Sequence, residues 1–124
     1  RGRGFIFSTA PSPLMAACVR EALRIVEEEP GRREALHDLV GYAGCKLAPF
    51  GVSASGSQIM PLVLGDEART MQIAGALRSA GFDIRGIRPP TVPAGSSRLR
   101  ISLTLNSGRA QIDALAGTLS EILA

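Results

Sequence analysis

The strongest candidates for chemistry in this 124-residue sequence are two arginines in the stretch "RLRISLT", Arg98 to Thr104. In an extended strand, alternate side chains leave on opposite faces. Leu99, Ile101 and Leu103 therefore share one face, and Arg98, Arg100, Ser102 and Thr104 share the other. A guanidinium is a planar fork of donors matched to carboxylate or phosphate. Arg100, mid-strand and preceded by the stiff segment "RPPTVPAG", thus reads as an anion anchor. By spacing alone, a solvated or salt-bridged surface arginine is the commoner case.

Other reactive side chains are few. Lys46 is the only lysine and His37 the only histidine. Lys46 lies at the polar edge of an amphipathic segment, where a hydrated ammonium is the default. A Schiff-base lysine would instead need a lowered pKa. His37 has no visible partner for acid–base work. Cys18 and Cys45 show no CxxC spacing and sit among apolar neighbours, so they read as buried thiols of a reducing compartment, without a disulfide. No residue set has the ligand count of a metal site.

The elements that must position Arg100 follow from periodicity. "RGRGFIFSTAPSP" reads as a short strand, Phe5 to Phe7, running into a turn. Its backbone groups must join a sheet, and that sheet is expected in sequence beyond this chain. From Pro13, Leu14, Cys18, Ala22 and Val26 recur four apart, predicting a helix that "EEEPG" ends. Leu36, Leu39, Val40, Ala43 and Leu47 mark a second helix, followed by the Gly/Ser loop "GVSASGS". That loop lacks the GK[ST] ending of a phosphate cradle.

"QIMPLVLGD" predicts a buried strand in which Pro61 suggests an edge or a bulge. Asp66 is placed to cap a helix over residues 67–80, ended by Gly81 in a left-handed conformation. "FDIRGIR" and "RLRISLT" predict two more strands. A final helix runs from about Ser107 to Leu123, with Ile112, Leu115, Leu119 and Ile122 as its stripe. The order predicts an α+β fold, a small, mainly antiparallel sheet with helices packed on one face.

Composition bounds the function. Hydrophobic residues make up 45% and charged residues 20%, which suits one globular domain with an ordinary core. A net charge of +3, with four Phe, one Tyr and no Trp, gives little of the basic face or stacking surface that nucleic acid binding needs. No apolar run is long enough to span a membrane, and the N-terminal residues lack a secretory pattern. A cytoplasmic protein is expected.

Three ordered stretches carry a family resemblance that runs essentially end to end: "GRGFIFSTAPSP", "SQIMPLVLGD" and "IRPPTVPAGSSRLRISLT". Together they resemble the C-terminal part of the α-oxoamine synthases, fold-type I enzymes dependent on pyridoxal 5′-phosphate (PLP). These condense an amino acid with an acyl thioester and lose carbon dioxide. "IRPPTVPAG" followed by "RLRISLT" is most similar to the branch that joins pimeloyl-CoA, or pimeloyl carrier protein, to L-alanine in biotin synthesis.

The resemblance implies a cytoplasmic homodimer in which Arg100 binds the amino-acid carboxylate. Thr9 and Ser8 of the "FSTA" turn would reach the cofactor phosphate of the neighbouring subunit. Pro90, Thr91 and Val92 would border the substrate entrance. It also implies that residues 1–12 serve a larger domain, while residues 13–124 form the C-terminal small domain. The family's cofactor-bearing lysine, ring-stacking histidine and pyridine-pairing aspartate fall upstream of the first motif, so no catalytic residue is expected in this chain, and without them it is expected to be inactive by itself. Where the family usually has a histidine after the strand, "LNSGRA" places Ser107.

A second class of function is compatible with the same residues. A free-standing α+β module could sense an anionic metabolite through Arg98 and Arg100 without catalysis.

Overall fold

The computed structural model describes residues 12–124. The expected strand at Phe5 to Phe7, with Ser8 and Thr9, lies outside the described residues. Residues up to Gly31 and residues from Arg32 onward form two separate compact units.

The first unit holds α1, Pro13–Glu28, which begins on proline as predicted and buries no residue. Pro13 lacks an N–H that would be unsatisfied in the first turn anyway. Arg24 bridges Glu21 and Glu28 along the helix surface. Leu14, Met15, Val19, Leu23 and Val26 are all more than half exposed.

The second unit is built on a three-stranded antiparallel sheet. Its strands are β1 (Ile59–Gly65), β2 (Arg85–Ile87) and β3 (Ser97–Ser102). Their order is β1-β3-β2, which puts the arginine strand in the centre. Pro61 lies on the edge strand, where a missing N–H is tolerated. The register shift falls between Val63 and Gly65 rather than at Pro61. β2 is only three residues long, shorter than predicted. The N–H of Phe82 bonds to Leu77 O and that of Ile84 to Phe82 O, so residues 82–84 turn before the ladder begins.

Three helices complete the unit: α2 (Gly31–Leu47), α3 (Glu67–Ser79) and α4 (Arg109–Leu123). α2 buries Leu39, Val40, Ala43, Gly44 and Leu47, the face predicted from spacing. A short 3₁₀ turn, Ala48–Phe50, follows it and ends at Gly51. Asp66 caps α3 by accepting the Arg69 N–H at 2.7 Å, and Gly81 beyond its end has φ +94°. The Gln111 side chain accepts the Gly108 N–H at 2.9 Å, which closes the first turn of α4. These helices bury Leu77, Ile112 and Leu119 with Met60, Leu62, Leu99 and Ile101 of the sheet. Fully burying one such side chain stabilises the fold by about 1.5–3 kcal/mol.

The cysteines correct the sequence expectation. Cys18 and Cys45 are both free and exposed. Cys18 stands on α1, which has no buried residue. Cys45 follows the buried Ala43 and Gly44, but successive helical residues rotate by about 100°, so it turns to the outer side.

Candidate functional site

One face of the sheet carries the core and the other is open. β3 alternates strictly: Ser97, Leu99 and Ile101 are buried, Arg98 is half-buried, and Arg100 and Ser102 are exposed. The predicted partition of this strand therefore holds.

Register decides which side chains meet on the open face. Arg100 pairs with Pro61 on one side and Arg85 on the other, and Arg98 pairs with Val63 and Ile87. The face thus has two rows, Pro61–Arg100–Arg85 and Val63–Arg98–Ile87, with no acidic residue in either. Arg85 was not singled out from sequence. Its alternation within "FDIRGIR" was legible, but its position opposite Arg100 was not.

The three arginines differ in how they are held. Arg85 donates to Asp83 at 3.0 Å. Arg98 donates from Nε to the Ser96 carbonyl at 2.9 Å. The Arg100 side chain makes no hydrogen bond or ion pair among the described residues. An unpaired guanidinium beside another positive group is best satisfied by an anion from outside the chain.

Two cavities border Arg100. The first, of about 380 Å³, is lined by Ile59, Pro61, Ile87, Thr91, Arg98 and Arg100, together with Ser55 and Ser57. Its size is that of a small-molecule cleft. The second, of about 480 Å³, runs past Arg85 and Arg100 to Ser102, Ser107 and Gln111.

Arg100 and Thr91 line the same cavity. Half-buried Val92 and exposed Pro90 do not line the first cavity. Ser107 lines the second and donates its hydroxyl to Thr104 O at 2.9 Å. Ser8 and Thr9 fall outside the described residues.

Lys46 belongs to a different cluster, between α2 and α4. Its Nζ lies 3.2 Å from Asp113 Oδ1, and the Tyr42 hydroxyl donates to the same oxygen at 2.7 Å. Arg109 and Lys46 approach the Tyr42 ring at 4.8 and 5.5 Å from its centroid. The hydrogen bond to Asp113 raises the Lys46 pKa above its ordinary value. The hydrogen bond from Tyr42, then that from Lys46, holds the Asp113 carboxyl below its own. His37 is exposed. Among the described residues no group of His, Cys, Asp and Glu is arranged to hold a metal, and no helix is long and apolar enough to cross a membrane.

Comparison with known proteins gives the family and the fold. Residues 1–119 match the family model for aminotransferase class I and II. The chain is 45% identical, over 99% of its length, to an 8-amino-7-oxononanoate synthase of Anaeromyxobacter dehalogenans (strain 2CP-C), of which it covers 32%. It is 36% identical, over 98% of its length, to the 8-amino-7-oxononanoate synthase of Saccharophagus degradans, covering 31% of it. The chain thus spans about a third of the length of the curated relatives it matches. Among solved structures, 97% of it superposes on 31% of serine palmitoyltransferase from S. paucimobilis with a bound PLP-myriocin aldimine, at TM-score 0.83 and 25% identity. It shares its fold with 8-amino-7-oxononanoate synthase from Francisella tularensis, covering 98% of this chain and 36% of that one at TM-score 0.79 and 20% identity.

Proposed function

Because this chain belongs to the aminotransferase class I and II family, we propose that it is the C-terminal portion of a PLP-dependent acyltransferase that condenses L-alanine with a pimeloyl thioester. The product is 8-amino-7-oxononanoate, formed with loss of carbon dioxide on the route to biotin, by a cytoplasmic homodimer. The observation that carries the reading is the unpaired Arg100 guanidinium on an otherwise apolar and cationic sheet face. The names and identities of the relatives supply the reaction class.

In this reading residues 1–12 serve the larger domain and residues 13–124 are the small one. Arg100 receives the amino-acid carboxylate as a bidentate partner, which fixes the direction in which the α-carbon bonds point. That is a contribution of binding and orientation. Arg85, directly across the ladder, keeps the local potential positive. Thr91, which lines the same cavity, and Val92 beside it in sequence border the substrate, and Thr9 and Ser8 meet the cofactor phosphate of the neighbouring subunit. PLP supplies electron withdrawal from the amino acid's α-carbon. Lys46, paired with Asp113, is not the residue that carries it, so no bond-making step is assigned to this chain, which alone is expected to be inactive.

The test is Arg100→Leu in the full-length enzyme. Charge-assisted hydrogen bonds contribute about 1.5–3 kcal/mol and about 1.4 kcal/mol is tenfold, so the apparent KM for L-alanine should rise by about one to two orders of magnitude. The KM for the pimeloyl thioester should change far less. An unchanged KM for L-alanine would remove the basis of the reading.

A further inference from the structure

The second arginine of the open face is held in a different way from the first. Arg98 is half-buried, and its Nε–H is spent on the Ser96 carbonyl at 2.9 Å, two residues back along its own chain. Ser96 closes a turn: its N–H donates to Pro93 O at 3.1 Å and its hydroxyl donates to the same oxygen at 2.7 Å. Gly95, third in that turn, has φ +77°, as a type II turn requires. A second turn precedes it, with the Thr91 N–H donating to Arg88 O at 3.0 Å. Residues 88–96 are therefore two linked turns with Thr91 at their junction. The carbonyl of Gly95 also packs beside Gly65 at the end of β1, where a Cβ on Gly65 would sit 3.4 Å from it.

We infer that Arg98 is a positioning residue: by latching the Pro93–Ser96 turn to β3, it sets Thr91 in the lining of the cavity that Arg100 also borders and so governs how the acyl thioester is received. This deepens the function proposed above and rests on it. Three observations favour a latch over a second anion anchor. Arg98 has no acidic partner among the described residues, its cross-strand neighbours are the apolar Val63 and Ile87, and its Nε–H already points into the turn. The amino acid is committed to Arg100, and a cavity of about 380 Å³ exceeds what alanine fills. The wall bearing Thr91 is thus left to the other substrate.

The experiment uses the full-length enzyme with Arg98→Leu, Arg98→Gln, Ser96→Ala and Arg100→Leu. Glutamine places Nε2 as many bonds from Cα as the Nε of arginine, so it keeps the donor and drops the charge. Arg98→Leu should raise the KM for the acyl thioester about fivefold or more while leaving the KM for L-alanine within about twofold, a split that reports loss of one substrate's binding. Arg98→Gln should restore most of the loss. Ser96→Ala should shift the acyl-thioester KM in the same direction as Arg98→Leu, and amide hydrogen exchange at Thr91 and Ser96 should quicken in both. Glutamine behaving like leucine would mean that the charge matters and would overturn the latch, as would an equal rise in both KM values or no change in either. If Arg100→Leu leaves the KM for L-alanine unchanged, the proposed function itself fails. If Arg100→Leu behaves as expected and the Arg98 variants do not, only the latch fails.

Discussion

Arg85 and Arg100 stand directly opposite each other on β2 and β3, so two guanidinium side chains leave one sheet face from paired positions. Among the described residues only Arg85 of the two has a side-chain partner, Asp83. Like charges directly opposite on a ladder are unfavourable, and an anion bound between or beside them would relieve this pair.

Charge reversal tests that relationship. Arg85→Glu would offer Arg100 a carboxylate from its own sheet, and this internal ion pair competes with the substrate. The expected outcome in the full-length enzyme is a rise of about tenfold in the KM for L-alanine, equivalent to about 1.4 kcal/mol. Arg85→Gln should do less, because it removes the positive neighbour without supplying a competitor. Equal effects from the two variants would show that no ion pair between residue 85 and Arg100 competes with the substrate.

The link between α2 and α4 has a defined pH window. Asp113 is held below its ordinary carboxyl value by Tyr42 and Lys46. Its contribution to stability is therefore present above the unfolded pKa and lost as pH falls through the depressed folded one. Lys46 and Tyr42 are both shifted upward, in each case chiefly by the hydrogen bond with Asp113. Their contributions are present below the unfolded values and lost as pH rises through the folded ones. The melting-temperature difference between wild type and Asp113→Asn should thus be widest near neutrality and shrink at both extremes. In Asp113→Asn, the Lys46 and Tyr42 pKa values followed by NMR should fall toward ordinary values. A difference independent of pH would rule out an electrostatic origin.

The two faces of β3 should respond oppositely to truncation. Leu99 is fully buried under the helices, and Leu99→Ala should cost about 2–5 kcal/mol in urea unfolding through lost burial and the cavity left behind. Ser102→Ala, on the open face, should lie within about 0.5 kcal/mol of wild type. Similar losses at both positions would contradict the assignment of one core face and one site face.

Much of this was determined by sequence alone, because the signals are local. Alternation in "RLRISLT" separates core from site whatever the strand pairs with. Asp66 and Gly81 bracket α3 through a cap and a left-handed turn that depend only on neighbours a few residues away. The stretches around Phe5, Pro61 and Arg100 carry the family pattern. Tertiary structure decided what depends on partners distant in the chain. It placed β3 centrally, so that Arg100 meets Arg85 and Pro61, and it bound Lys46 of α2 to Asp113 of α4, 67 positions away by their numbers. It also turned Cys45 outward, because apolar composition does not say which side of a helix meets the core. Register and helix rotation are set by long-range burial, and a single chain read in order carries no record of which strand its arginine will lie beside.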